Sequence, residues 1–228
     1  MSTIALIPAR GGSKRFPRKN LAVVNGLPMV AYAIRTAKAA GVFDRIMVST
    51  EDAEVIDVAK EHGAEVIERP VNIAQDRSTV AEVCVHALEM VPGVELMCCI
   101  YATAVLIKPG SLVASHAIIA ADETTDHLMG VSEYEHPPVQ ALKSDQNGYL
   151  AYMWPEWRGI QSQQQPKLVV SNGTFYWTRA SAMLRERTFY GERLKGFPIP
   201  FDEISDVDTE EDLAKVIWEI DRRSGGKS

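Results

Sequence analysis

Apolar positions follow two rhythms along this chain. Ile4 to Ile7 is a short continuous apolar run stopped by Pro8, the pattern of a buried strand. Gly11 and Gly12 open a loop that runs to about Asn20. Pro28 stands where a first helical residue belongs, Val30, Ala33, Ile34 and Ala37 follow at helical spacing, and Gly41 closes the helix in the left-handed conformation. Arg45–Thr50 predicts a second strand, Asp52–His62 a helix with Val55, Val58 and Ala59 inward and Gly63 as its stop, and Ala64–Arg69 a third strand. Thr79 and Glu82 have capping-box spacing. Val80, Val83, Cys84, Ala87, Leu88 and Val91 then form an apolar stripe. Glu95–Tyr101 is almost wholly apolar, as in the middle of a parallel sheet. Pro109 opens a helix to about Ala121, and His127–Ser132 predicts a further strand.

Strands alternating with helices predict an α/β fold with a doubly wound, mostly parallel sheet. Such sheets bind ligands at the carboxyl ends of their strands. Residues 133–170 break the rhythm. They hold four of the twelve prolines, Trp154, Trp157 and the run Gln163 to Gln165, which predicts an irregular arm inserted into a single domain spanning 1–228. The alternation resumes near Asn172 and ends in a helix from Glu210 to about Arg222, with the SGGKS tail expected to be disordered.

Composition changes this picture only through charge. The 228 residues are 46% apolar and 24% charged, an ordinary globular balance. No apolar run approaches the roughly 18 residues that span a bilayer, and the start lacks the order of a signal peptide. Cys84, Cys98 and Cys99 make neither a disulfide framework nor a metal spacing, so a reduced, cytoplasmic protein is expected, with no membrane partner. The net charge is −6, yet residues 1–43 carry seven bases and no acid. Five of those bases fall between Arg10 and Lys19. A small basic loop on an acidic chain suits a compact anion such as a nucleotide phosphate, and speaks against nucleic acid, which needs a broad basic face.

That loop reads Ile7-Pro8-Ala9-Arg10-Gly11-Gly12-Ser13-Lys14-Arg15-Phe16-Pro17-Arg18-Lys19-Asn20. Adjacent glycines let backbone N–H groups turn toward an anion, and Lys and Arg add charge-assisted hydrogen bonds. It is neither a Walker A loop nor G-x-G-x-x-G; the plain alternative is a solvated basic turn. Asp206 and Asp208 form a D-x-D. In an extended segment residues two apart face the same way, so both carboxylates can meet one Mg²⁺. The alternative is a helix N-terminus with Thr209 as N-cap, which accounts for Glu210, Glu211 and Asp212 better than for Asp206. Arg69, Gln75, Asp76, Ser78 and Thr79 cluster between a strand and a helix, as a pocket wall or as capping and turn chemistry. The five histidines have no metal spacing, and Ser13 and Ser171 have no His–Asp arrangement in view.

The long loop motif resembles the signature of the CMP-sialic acid synthetase family, cytidylyltransferases that activate nonulosonic acids. Asn25-Gly26-Leu27-Pro28, Arg69-Pro70 with Asp76, Tyr101-Ala102-Thr103-Ala104, Asn172-Gly173-Thr174-Phe175-Tyr176-Trp177 and Asp206-Val207-Asp208-Thr209-Glu210-Glu211-Asp212-Leu213 are similar to further family segments, in order and over nearly the whole chain. Tyr-Ala-Thr-Ala and Phe-Tyr-Trp are most similar to the pseudaminic acid branch. Two departures stand out. Val105 replaces the usual proline, which predicts a looser turn, and Gln161 to Gln165 lacks the basic residue of sialic acid enzymes, which speaks against N-acetylneuraminate.

The resemblance implies a nucleotide-diphospho-sugar transferase-like fold whose 133–170 arm makes a homodimer, and a CTP-dependent enzyme that transfers CMP to a nonulosonic acid and releases pyrophosphate. Pseudaminic acid is the expected acceptor; legionaminate, neuraminate and Kdo are the alternatives, and a nucleotide-binding regulatory module without turnover is the rival of another class. It further implies that Arg10, Lys14, Lys19 and Asp208 serve catalysis, and that Ala9, Arg10, Gly11, Gly12, Ser13, Lys19, Asn20, Arg69 and Asp76 bind nucleotide, the last two as a cytosine-pocket wall. Tyr101, Thr103, Gln163, Asn172 and Tyr176 would bind sugar, and Asp206 and Asp208 would bind Mg²⁺.

Overall fold

The computed structural model describes residues 2–225. The chain runs β1 (Thr3–Pro8), β2 (Val23–Val24), β3 (Leu27–Pro28), α1 (Met29–Ala40), β4 (Arg45–Thr50), α2 (Ala53–Glu61), β5 (Glu65–Glu68), α3 (Val80–Met90), β6 (Leu96–Ile100) and α4 (Pro109–Ala121). It continues through β7 (His127–Glu133), β8 (Leu142–Ser144), β9 (Leu150–Tyr152), β10 (Val169–Arg179), α5 (Ala180–Glu186), β11 (Leu194–Pro198) and α6 (Glu210–Gly225). Seven strands form one sheet in the order β11-β7-β10-β6-β1-β4-β5. All neighbours pair in parallel except β10, which is antiparallel to both β6 and β7.

The period of two along the central strands sorts their side chains into two cores. Ala5 and Ile7 of β1, with Cys98 and Ile100 of β6, pack against Val30, Ala33 and Ile34 of α1, Val55 of α2 and Leu112 of α4. Ile4 and Leu6, with Met97 and Cys99, face Val83, Cys84 and Ala87 of α3 and Met183 of α5 on the other side. Cysteines 98 and 99 therefore point into opposite cores, both fully buried. A third, smaller core forms where Val216 of α6 meets Val24, Met29, Val105, Leu106 and Val207.

Local signals set most helix ends. Asp52 caps α2 through its carboxylate, which accepts from the N–H groups of Glu54 and Val55. Thr79 and Glu82 form both bonds of the capping box on α3. Gly41 ends α1 at φ 65°. Pro28 sits one residue earlier than expected, as the N-cap of α1 while also pairing in the short β2–β3 ribbon. Lys108 offers no side-chain cap to α4. The buried Glu203 carboxylate from far along the chain accepts from Lys108 N–H at 3.0 Å and Ser111 Oγ at 2.7 Å instead. At the C-terminus α6 continues to Gly225, past the expected end at Arg222; the rest of the tail lies outside the described residues.

The inserted segment contains the β8–β9 hairpin and three single turns of 3-10 helix, at Pro138–Gln140, Pro155–Trp157 and Ser162–Gln164. The strand after it starts at Val169, three residues before the expected point, and carries a bulge between Ser171 and Tyr176.

Candidate active site

Because β10 runs against its neighbours, its first half lies at the edge where β1 and β6 end. Phe175 pairs with Ile100, and Tyr101 N–H donates to Thr174 O. The bulge turns Asn172 and Gly173 toward the same edge, with Gly173 at φ 67°. The long segment after β11 returns to this edge and delivers the D-x-D. Ser205 Oγ donates to Thr103 O at 2.8 Å, and Val207 is fully buried in the third core. Pinning Val207 inward leaves its two neighbours, Asp206 and Asp208, facing the cleft together.

Two cavities occupy this edge. One of about 180 Å³ is lined by Pro8, Arg10, Asn20, Arg69, Gln75 and Ser78, among others. The second, of about 490 Å³, is lined by Arg15, Asn172, Tyr176, Tyr190, Asp206 and Asp208, among others. Lys19, Tyr101 and Thr103 line both, so the cavities meet at those residues.

In the smaller cavity Arg69 is buried, with Nε donating to Ser49 Oγ and Nη2 to Ser49 O at 2.6 Å. Burial pulls its pKa down from the ordinary value, but a guanidinium stays charged. Asn20 Nδ2 donates to Arg10 O and folds the basic loop back on itself. Ala9 is buried, bonded through its N–H to Ser49 O. Gly11 packs so closely on the α2 cap that a Cβ would lie 2.3 Å from Asp52 Oδ2. Its N–H donates to Glu51 Oε1 at 2.9 Å, so this amide is held by a carboxylate; Gly12 and Ser13 extend the loop beyond it.

Two acids, Asp208 and Asp76, pair four of the five loop cations, and Arg18 pairs with Glu54 instead. Asp208 accepts Lys19 Nζ on Oδ1 at 2.9 Å and Arg15 Nη1 on Oδ2 at 2.7 Å. Asp76 accepts Arg10 Nη1 at 2.8 Å and Lys14 Nζ at 2.5 Å, and Lys14 and Arg10 together hold its carboxyl below the usual range. Burial, and then the charge of Asp208, push the Asp206 carboxyl up. Two carboxylates at one face, one of them raised by the other, are the hard-oxygen donor set that a divalent cation relieves. Among the described residues no third acidic, His or Cys side chain joins them in a metal-binding group.

On the larger cavity's wall, Tyr101 and Tyr176 meet edge to face at 5.6 Å, and Tyr176 Oη bonds Ser171 Oγ at 2.6 Å. Burial is the main cause that raises both phenols, so they remain neutral. Asn172 Oδ1 accepts from Thr174 N–H and Oγ1, while its buried Nδ2 has no partner among the described residues.

Three sequence expectations change here. Gln163 is exposed in the arm, donates to Gln161 Oε1 and lines neither cavity of its own chain. Asp76 does not line the smaller cavity; it is half-exposed and paired with Arg10 and Lys14. The turn after β6 is not loose despite Val105, which is buried and donates its N–H to Thr103 O at 2.8 Å. Sequence reasoning also missed Arg15 on Asp208, Glu51 on Gly11, and Tyr190 in the larger cavity. For Arg15 the signal was its place in the basic loop; Glu51 and Tyr190 gave none.

Comparison with known proteins fits this geometry. Residues 4–218 match the family model described as cytidylyltransferase. The chain is 32% identical over 232 residues to a pseudaminic acid cytidylyltransferase of Campylobacter jejuni (strain 81-176), covering 98% of this chain and 99% of that one. It is 29% identical to a CMP-N,N'-diacetyllegionaminic acid synthase of Legionella pneumophila, with 94% of each covered. A solved CMP:2-keto-3-deoxy-manno-octonic acid synthetase in complex with CTP shares the fold at a TM-score of 0.76 and 16% identity, covering 98% of this chain and all of that one. A regulatory module without turnover thereby gives way to an enzyme: the chain belongs to the cytidylyltransferase family of nucleotidyltransferases.

Proposed function

We propose that the protein transfers CMP from CTP to a nonulosonic acid, pseudaminic acid first among them, and releases pyrophosphate. The observation that carries this reading is the meeting of the two cavities at Lys19, Tyr101 and Thr103. A nucleotide in the smaller cavity and an acid sugar in the larger would bring their reacting ends together there. The sugar hydroxyl would attack the α-phosphorus in line, a step whose catalysis is chiefly positioning and charge neutralisation. Arg10, Lys14 and Lys19 would exchange their carboxylate partners for triphosphate oxygens. Arg69, Gln75 and Ser78 would read the base, and Asn20 would hold the loop around the nucleotide.

Asn172 Nδ2 supplies a desolvated donor to the acceptor side, which Tyr101, Thr103 and Tyr176 complete. Asp206 and Asp208 would hold Mg²⁺, which supplies neutralisation of phosphate charge when bound. The likeness to the Campylobacter enzyme, over nearly the full length of both chains, supports pseudaminic acid. The exposed apolar arm supports a homodimer, in which Gln163 would face a partner's cleft rather than its own. Three free cysteines suit the reducing cytoplasm.

The test is pyrophosphate release with CTP, UTP or ATP and a panel of pseudaminate, legionaminate, N-acetylneuraminate and Kdo. CTP is expected to exceed UTP at least about tenfold in kcat/KM, since the wrong base leaves buried polar groups unpaired at about 1–3 kcal/mol each. UTP equal to CTP would overturn the nucleotide assignment. N-acetylneuraminate as the best acceptor would overturn only the choice of sugar.

A further inference from the structure

The loop between α5 and β11 carries Tyr190, 68% exposed, to the wall of the larger cavity. Among the described residues the Tyr190 side chain makes no hydrogen bond or ring contact in the cleft. What holds the loop is a set of ion pairs behind it, centred on one buried carboxylate. Asp126 is 3% exposed, and its Oδ2 accepts Arg193 Nε at 2.8 Å, Arg193 Nη2 at 2.6 Å and Arg185 Nη2 at 3.0 Å. The backbone repeats the connection, because Arg193 O accepts the N–H groups of Asp126 and His127. Arg185 and Arg193 bracket the loop, so a single carboxylate ties its two ends.

A second tether lies beside the first. Glu186 Oε2 bonds Nε2 of the fully buried His127 at 3.1 Å, and His127 Nδ1 bonds Thr178 Oγ1 at 2.9 Å. The loop backbone passes directly over this pair: a Cβ on Gly191 would lie 2.0 Å from Glu186 Oε2 and 3.0 Å from His127 Cδ2. Only glycine passes there while Glu186 keeps its bond. Phe189 links the tethers to the cleft. It is buried, its ring 4.7 Å from that of Tyr176 and edge-on to His127 at 6.4 Å.

Asp126, Arg193 and Glu186 do not line either cavity of the cleft. We propose that they are positioning residues: the clamp of Asp126 on Arg185 and Arg193, with Glu186 on His127, sets the place of Tyr190, so that acceptor affinity is controlled from outside the cleft. This rests on the reading that the larger cavity takes the acid sugar. A wall residue held by charge-assisted bonds to a buried carboxylate is preorganised. Releasing it weakens binding of the ligand it faces and leaves the nucleotide side unchanged.

The test compares Asp126→Asn, Arg193→Gln and Gly191→Ala with the wild-type protein by steady-state kinetics and by amide hydrogen exchange. Each variant is expected to raise the acceptor KM by about tenfold, with the CTP KM and kcat within about twofold. Exchange is expected to rise in residues 187–193 and to stay unchanged in β1. Arg193→Lys, which keeps the charge, is expected to recover part of the acceptor affinity. If Asp126→Asn does not fold, the half-exposed Arg193 carries the same comparison. Unchanged exchange in the loop would overturn the clamp. Faster exchange with an unchanged acceptor KM, or with both KM values rising together, would overturn its role in acceptor binding. Absence of turnover by the wild type with every acid sugar would defeat the proposed reaction instead; the exchange comparison needs no substrate and still decides the clamp.

Discussion

Asp208 holds Lys19 with one carboxylate oxygen and Arg15 with the other, so in the free protein the residue expected to meet a metal serves as a counter-ion. On the proposed reading, a triphosphate would compete for the same cations. Binding it would free Asp208, which ties metal affinity to nucleotide affinity. Asp208→Ala is expected to lower kcat/KM by at least about a hundredfold, the scale of losing one preorganised charge contact at a reacting phosphate. The partners are partly solvated, so the melting temperature should barely move; activity near the wild-type level in Mg²⁺ would remove Asp208 from the chemistry. Asp76 makes the contrasting case. It pairs with Arg10 and Lys14 and does not line the smaller cavity, so on the proposed reading it would compete with phosphate rather than contact the base. Asp76→Asn is expected to tighten binding of inorganic triphosphate by about two- to fivefold at low salt, as exposed ion pairs are weak. The effect should fade as salt screens it. Calorimetry showing weaker binding would place Asp76 on the ligand after all.

At the scale of elements, the helix that carries the turn after β6 depends on a residue remote in sequence. Lys108 gives α4 no side-chain cap, and Glu203 supplies the acceptor from 95 residues away. Glu203→Ala is expected to destabilise the fold by about 2–3 kcal/mol, since it leaves the Lys108 N–H and Ser111 hydroxyl unmatched. That corresponds to a fall in melting temperature of roughly 4–12 °C for a chain of this size; Glu203→Gln should keep part of the bonding and fall less. Such long-range caps mark where the sequence stops being legible. The strand–helix units up to His127 are readable because each carries its own apolar run, and most carry a local start or stop signal such as the Asp52 cap, the Thr79 capping box or Gly41. The seven-residue α5 has no capping side chain, and β11 is Leu-Lys-Gly-Phe-Pro, too short and mixed to show a period. Nothing in the apolar run of β10 encodes its direction, yet that direction brings Asn172 and Tyr176 to the cleft. Within the site, the basic loop and the D-x-D stand out through local composition. Which acid pairs which cation depends on tertiary approach, so Arg15 with Asp208 and Glu51 with Gly11 could not be read, and Gln163 was expected where its own chain does not bring it.

For the whole molecule, the decisive surface is the arm. A two-stranded hairpin is marginal in water unless another surface packs on it, and Leu142, Tyr149 and Leu150 on the β8–β9 hairpin are exposed. Met153, Trp154, Ile160, Leu168 and Val169 add further exposed apolar side chains between residues 153 and 169. An apolar surface of this kind marks an interaction site more readily than a monomer's solvent face. Its position beside β10, the strand that enters the cleft, suits a second copy of the chain, whose arm could then approach the first copy's acceptor side. A homodimer is therefore expected by light scattering at micromolar concentration. Leu150→Asp combined with Trp154→Ser should shift it to a monomer that keeps its far-ultraviolet circular dichroism, because the sheet and its two cores do not involve these residues. If Gln163 faces a partner's cleft, the monomer should also lose acceptor turnover while still binding CTP. A wild-type monomer would reject the interface, and a monomeric variant with full turnover would show that each cleft is complete within one chain.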